Sequence, residues 1–227
     1  MDRTLAPFRF EAEMFDTLLP LVAAVFDLSP GQKLRVLREA AVGSIIPDLM
    51  VAVWSGELPK YSKLNGISRH VLAWLSAEKK VWNEEKLRDV MFLSQKATAS
   101  AVLALSRIGA IEKIDSGEIQ LRSEFDVSHS VRLIAVEIKL KRWRQALEQA
   151  IEYRKFANEA YVVMDGAQLV MSDKVTDAFA LSGVGLLLQH GKDLCKAVPA
   201  RSTTPAPSDG RLLAVSKLVE SGPYCFA

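Results

Sequence analysis

Two textures of apolar and polar positions alternate along this chain. Residues 8–27, FRFEAEMFDTLLPLVAAVFD, return apolar side chains at helical spacing and predict an amphipathic helix, with Pro20 a kink in its middle. Ser29-Pro30-Gly31 is a turn signal. Two strand-like runs follow, KLRVLREAAV over 33–42 and SIIPDLMVAVW over 44–54, parted at Gly43. The second is rich in Ile, Val and Met, as a largely buried strand is.

The texture then changes. Residues 56–65, GELPKYSKLN, have the composition of a linker. Helical periodicity predicts helices over 66–79, 83–93 and about 95–108; the second begins at Asn83 as cap with Glu84 and Glu85 in its first turn. After Gly109, two short alternating runs flank Asp115-Ser116-Gly117, a hairpin signal. Three helices and a hairpin in this order resemble a winged helix-turn-helix.

The first texture returns with a strand over 131–140, VRLIAVEIKL, and a helix over 143–157. A short strand at 161–164, a helix at 173–182 and a last strand at 183–189 complete it. Residues 198–210 form a Pro/Ser/Thr linker, and 212–220 a helix able to dock back. Without residues 56–124 the order is helix, strand, strand, strand, helix, strand. The expectation is an α/β fold: a mixed-sheet core from residues 1–57 and 125–197, an inserted domain at 58–124, and a linker with tail at 198–227.

Composition narrows the picture modestly. A chain of 227 residues, 49% apolar and 25% charged, is long enough to bury a core without metal or disulfide staples. Cys195 and Cys225 have no metal-ligand spacing and suit free thiols in a reducing, cytoplasmic setting, with a late disulfide between them as the alternative. The polar start, Met1-Asp2-Arg3-Thr4, does not fit a signal peptide, and no run of roughly 18 apolar residues predicts a membrane span. A net charge of +2 decides nothing about nucleic acid, so local charge must.

The chemistry concentrates on two strands. Glu137 and Lys139 are two apart on the 131–140 strand and so share a sheet face, while Val136, Ile138 and Leu140 take the other. Charge placed centrally on so apolar a strand needs compensation, from an ion pair or from a site. Asp48 interrupts a second apolar strand directly after Pro47, which marks an edge or bulge. Asp48, Glu137 and the Ile138 carbonyl supply the oxygen ligands that a hard divalent cation takes. Lys139 would contact or deprotonate an attacking water whose pKa the metal lowers.

Ile46-Pro47-Asp48-Leu49 followed by Val136-Glu137-Ile138-Lys139 resembles the signature of the PD-(D/E)XK nuclease superfamily. The resemblance covers about 1–55 and 130–190. It implies a restriction-endonuclease-like core, hydrolysis of DNA phosphodiesters, and Mg²⁺, with Mn²⁺ able to substitute. Gln149 and Tyr153 resemble the Q-x-x-x-Y element of recombination-type exonucleases and imply substrate contacts; a surface pair at i and i+4 is the plainer alternative. The resemblance also implies a first-helix acid reaching the metal, for which Glu13 is chosen, with Glu11 and Glu39 as competitors. Asp48 and Glu137 lie farther apart in sequence than the family's usual hairpin allows, and the insert must account for the difference.

Over residues 60–122 the insert carries eleven lysines and arginines against seven acids, a net of +4. Gln95, Lys96 and Thr98, at the small, polar start of the third helix, are candidate contacts to duplex DNA. Lys139, Lys141, Arg142, Arg144, Arg154 and Lys155 form a basic run able to hold phosphates, or else a solvated face balanced by Glu148 and Glu152. His70, His129 and His190 are scattered and read as structural. Two other classes stay open: a non-catalytic DNA-binding regulator on a nuclease-like scaffold, and a protein-interaction subunit, as a homodimer or with a helicase or defence-system partner.

Overall fold

Burial alternates along the strands and sorts the chain into layers. The computed structural model describes residues 6–26, 28–57, 61, 64–114, 117–126, 131–206 and 208–220. Residues 1–5, parts of the linker before residue 64, the Asp115-Ser116 turn, His129 and Cys225 lie outside the described residues. The chain enters through α1 (Glu11–Leu18), a 3-10 turn at Leu19–Leu21, and α2 (Val22–Val25). Pro20 has no amide hydrogen to continue the ladder, so the single expected helix is broken there.

Strands β1 (Lys33–Arg38) and β2 (Leu49–Trp54) are both shorter than their apolar runs. Glu39 and Gly43 between them are left-handed, with φ of 48° and 64°, and Val42 and Ile45 close a tight turn by mutual backbone hydrogen bonds. Asp48 therefore stands just before β2 rather than inside it.

Between β2 and the next core strand lie α3 (Gly66–Glu78), β3 (Trp82–Asn83), α4 (Glu84–Val90), α5 (Gln95–Arg107), β4 (Ile111–Lys113) and β5 (Glu118–Leu121). The side chains of Asn65, Asn83 and Ser94 cap the three helices, each accepting an amide hydrogen from three residues on. The strands make a small antiparallel sheet in the order β3-β5-β4.

The core resumes with β6 (Arg132–Lys139), α6 (Trp143–Tyr153), β7 (Glu159–Asp165), α7 (Asp173–Ser182), β8 (Gly185–His190), β9 (Asp193–Val198) and α8 (Asp209–Glu220). The main sheet runs β1-β2-β6-β7-β8-β9. Its first three strands are antiparallel, β6, β7 and β8 are parallel, and β9 returns antiparallel. This is a mixed α/β architecture. One face packs Leu49, Val51, Ile134, Val136 and Val163 on Met14, Leu18 and Phe26 of the N-terminal segment. The opposite face packs Met50, Ala52, Ala135 and Val162 on α6 and α8.

Packing shows how the insert and the tail join the core. The insert does not simply hang from a loop, because its core residues Leu72, Leu75 and Leu105 belong to the same apolar cluster as the sheet face under α6 and α8. The C-terminal helix packs back on the core, as its apolar run allowed. Arg211 on α8 is fully buried and donates to the carbonyls of Phe156 (3.0 Å) and Val131 (2.6 Å) and to Asn158 Oδ1 (3.1 Å). Burial pulls its guanidinium down to about 10. No helix among the described residues is long and apolar enough to cross a membrane.

Candidate active site

The site forms where the paired part of β2 and β6 ends. Leu49 is the last residue of β2 paired with β6, opposite Val136, so Asp48 and Glu137 come one step beyond. Asp48 is fixed at both ends. Its carbonyl accepts from the Glu39 amide (3.1 Å), and its Oδ2 accepts from the Ile138 amide (2.7 Å). A carboxylate so placed, half-buried and near other acids, is hard to ionise. Burial above all, then the charges of Glu137 and Glu11, push Asp48 up to about 6, against the opposing pull of the Ile138 amide and Lys139.

Glu137 follows Leu133 and Ala135 on the face beneath α6 and is 1% exposed. Both carboxylate oxygens are engaged. Lys139 Nζ lies 2.9 Å from Oε1, and the Tyr153 hydroxyl donates to Oε2. Tyr153 was expected at the substrate; instead α6 turns it inward, buried, where it orients Glu137. Burial and that hydrogen bond raise the phenol well above its usual range.

Lys139 also lies 3.6 Å from Glu11 in the first turn of α1. Burial lowers its affinity for a proton, but the hydrogen bond and charge of Glu137, with Asp48 and Glu11, outweigh burial and raise the ammonium above the ordinary lysine value. The acids around Lys139 thus favour its charged form, which suits contact with an anionic group.

The first-helix and first-strand acids differ in their placement. Glu13 is exposed and turns back to accept the Arg9 amide (2.9 Å), one residue before the N-cap of α1. Glu11 and Glu39 instead line a cavity of about 100 Å³ with Ala12, Phe15, Arg38, Asp48 and Ile138. Arg38, which sequence reasoning passed over, stands over the Phe15 ring at 4.3 Å and beside Glu39 at 3.8 Å. The signal was present in the alternation Leu34, Val36, Arg38, which places it on the face that meets α1. Among the described residues no three Asp, Glu, His or Cys side chains are gathered closely enough to hold a metal by themselves.

Other expected contacts are dispersed. Gln149 is half-buried on α6, and its Oε1 is enclosed with no hydrogen-bond partner among the described residues. Lys141 is exposed just past β6. Gln95 and Lys96 are exposed at the start of α5, far along the chain from the cleft. Thr98 is buried, and its hydroxyl donates to the Ser94 carbonyl (3.1 Å), so it serves the helix end and not a ligand. A larger hollow, about 540 Å³, lies on the insert, but charges along it pair with each other, Lys79 with Asp126 (3.1 Å) and Arg122 with Glu112 (3.8 Å). It carries no chemistry comparable to the cleft. Comparisons of the chain with protein-family models, with curated proteins and with solved structures give no match.

Proposed function

We propose that this protein is a divalent-metal-dependent nuclease that hydrolyses DNA phosphodiester bonds, on a core of the PD-(D/E)XK type with a winged-helix insert. One observation carries the reading. Asp48 and Glu137, far apart in sequence, meet at the end of adjacent strands with Lys139 beside Glu137. The order helix, three antiparallel strands, helix, parallel strand supports the core assignment. For the insert, support comes from three helices and a small sheet in the order β3-β5-β4, with α5 as the third helix.

The donor set fits a hard cation. Asp48 and Glu137 would hold Mg²⁺ or Mn²⁺ through carboxylate oxygens, with Glu11 at the rim in place of Glu13. Burial above all raises the Asp48 pKa, with the charges of Glu137 and Glu11 adding to it, and a cation held there would offset that cost. When bound, such an ion lowers the pKa of a coordinated water and neutralises phosphate charge. The chain's own groups do the rest. Lys139 presents a fixed positive charge to a phosphate oxygen as negative charge develops. Tyr153 holds Glu137 in one orientation, and Arg38 offers a guanidinium at the rim for the adjoining phosphate.

The test is a panel of end-labelled DNAs incubated with the full chain and Mg²⁺, Mn²⁺ or chelator. Cleavage should require metal and vanish in Asp48→Asn. Metal-independent cleavage, or full activity in Asp48→Asn, would sink the proposal.

A further inference from the structure

Helix α4 ends in a cap in which the Leu93 amide donates to the Arg88 carbonyl (3.0 Å) and the Met91 amide to Leu87 (3.1 Å). Such a cap turns through a left-handed residue, and glycine adopts that conformation without a steric penalty. Here the turning residue is Phe92, with φ of 52°. Its neighbours Met91 and Leu93 pack onto the apolar cluster, while Phe92 is 95% exposed. The fold gains neither backbone ease nor burial from an aromatic ring at this point.

What lies beside the ring suggests its use. Ser94 caps α5 two residues later, and α5 contains no Asp or Glu. Its exposed positions are Gln95, Lys96, Ala99, Ser100, Leu103, Ser106 and Arg107. Lys96 has no ion-pair partner among the described residues, and Asp89, the nearest acid along the chain, is held by Arg88 at 2.9 Å. A projecting flat ring next to a carboxylate-free, cationic face is complementary to a polyanion that also offers flat apolar faces, which is the chemistry of a nucleic acid. Bases inside a continuous duplex are already stacked on each other, so the ring gains most where a base face is open.

We infer that Phe92 stacks on a base exposed at an interruption in duplex DNA, so that the insert prefers gapped or frayed DNA to continuous duplex. This rests on the DNA-binding reading of the insert. The experiment uses the full chain in chelator, so that nothing is cut, with a continuous duplex and a duplex carrying a one-nucleotide gap flanked by 2-aminopurine. Wild type should bind the gapped DNA more tightly and change the fluorescence of the reporter base. Phe92→Gly should lose that preference, roughly tenfold, with a thermal midpoint unchanged or raised, because glycine suits the cap. Lys96→Ala should weaken both DNAs alike. If Lys96→Ala weakens binding and Phe92→Gly does not, the stacking role falls alone. If wild type binds neither DNA, the DNA-binding reading falls and takes this one with it. A change of oligomeric state in Phe92→Gly by sedimentation would assign the ring to contact between copies and overturn the inference.

Discussion

At the end of β6, Glu137 is sealed from water with both oxygens engaged, by Lys139 and Tyr153. At the start of α5, Gln95 and Lys96 stand in solvent, and Lys96 has no ion pair among the described residues. Both regions carry charge that the fold does not need. Burying the first is costly unless every partner is present, and removing one leaves the others stranded. Exposed charge costs little to keep and little to lose. The cleft should therefore respond to substitution steeply and as a unit, and the insert shallowly and additively.

The largest effect tests that unity. Glu137→Gln and Asp48→Asn should each lower the cleavage rate at least about a hundredfold, with DNA binding in chelator retained. The double variant should be hardly worse than either single one. Initial rates on a labelled duplex, with melting curves to confirm folding, decide it; multiplicative losses would mean that the two acids do not share a task.

Next comes Tyr153→Phe, which keeps the ring and removes only the donor to Glu137. The expected result is a fall in kcat of about tenfold with KM for DNA unchanged, because the hydroxyl acts through Glu137, together with a stability loss of about 1 kcal/mol. A raised KM with intact kcat would restore Tyr153 as a substrate contact.

How far the sequence revealed all this depends on the kind of signal. Apolar runs gave away β2, β6, β7 and β8, because strands buried on both faces must be apolar. Strand β9 left no such trace: it is an edge strand with only Val198 buried. The pairing of Asp48 with Glu137 was legible because charge in an apolar strand demands an explanation. The different placement of Glu11, beside Lys139, and Glu13, bonded to the Arg9 amide, was not, since both lie in one helical turn. Nor was the inward turn of Tyr153, because a helix face is identified only once its neighbour is known. Thr98 shows the same limit on α5. Arg211 in a presumed linker tail gave no hint that it would bond three buried acceptors.

A smaller effect concerns pH. Asp48 holds its proton more tightly in the folded chain, at about 6, than at its ordinary value of 3.8. The metal-free fold therefore binds more protons than the unfolded chain between those values. Its contribution to stability is full below about 4 and is lost as pH rises through about 6. Metal binding needs the carboxylate and should strengthen across the same range. The difference in melting temperature between wild type and Asp48→Asn in chelator, followed from pH 4 to 7, isolates the group; a flat difference would show that Asp48 ionises normally.

The smallest effects belong to the insert and test its side of the comparison. Lys96 is exposed and has no ion pair among the described residues, so on the proposed DNA-binding reading it should act as one phosphate contact. Lys96→Ala should weaken binding a few-fold and reduce the slope of log affinity against log salt by about one. Gln95→Ala should cost less and leave the slope unchanged, because an amide releases no counterion. Thr98→Val keeps the shape of the side chain but removes the hydroxyl that bonds Ser94. It should leave DNA affinity and salt slope alone and shift only the melting temperature, slightly downward. Salt titrations of the three variants and of Lys96→Ala combined with Gln95→Ala measure this directly. Additive losses would match independent surface contacts, whereas strong coupling between the two would make the start of α5 a built site like the cleft, and the contrast between the regions would disappear.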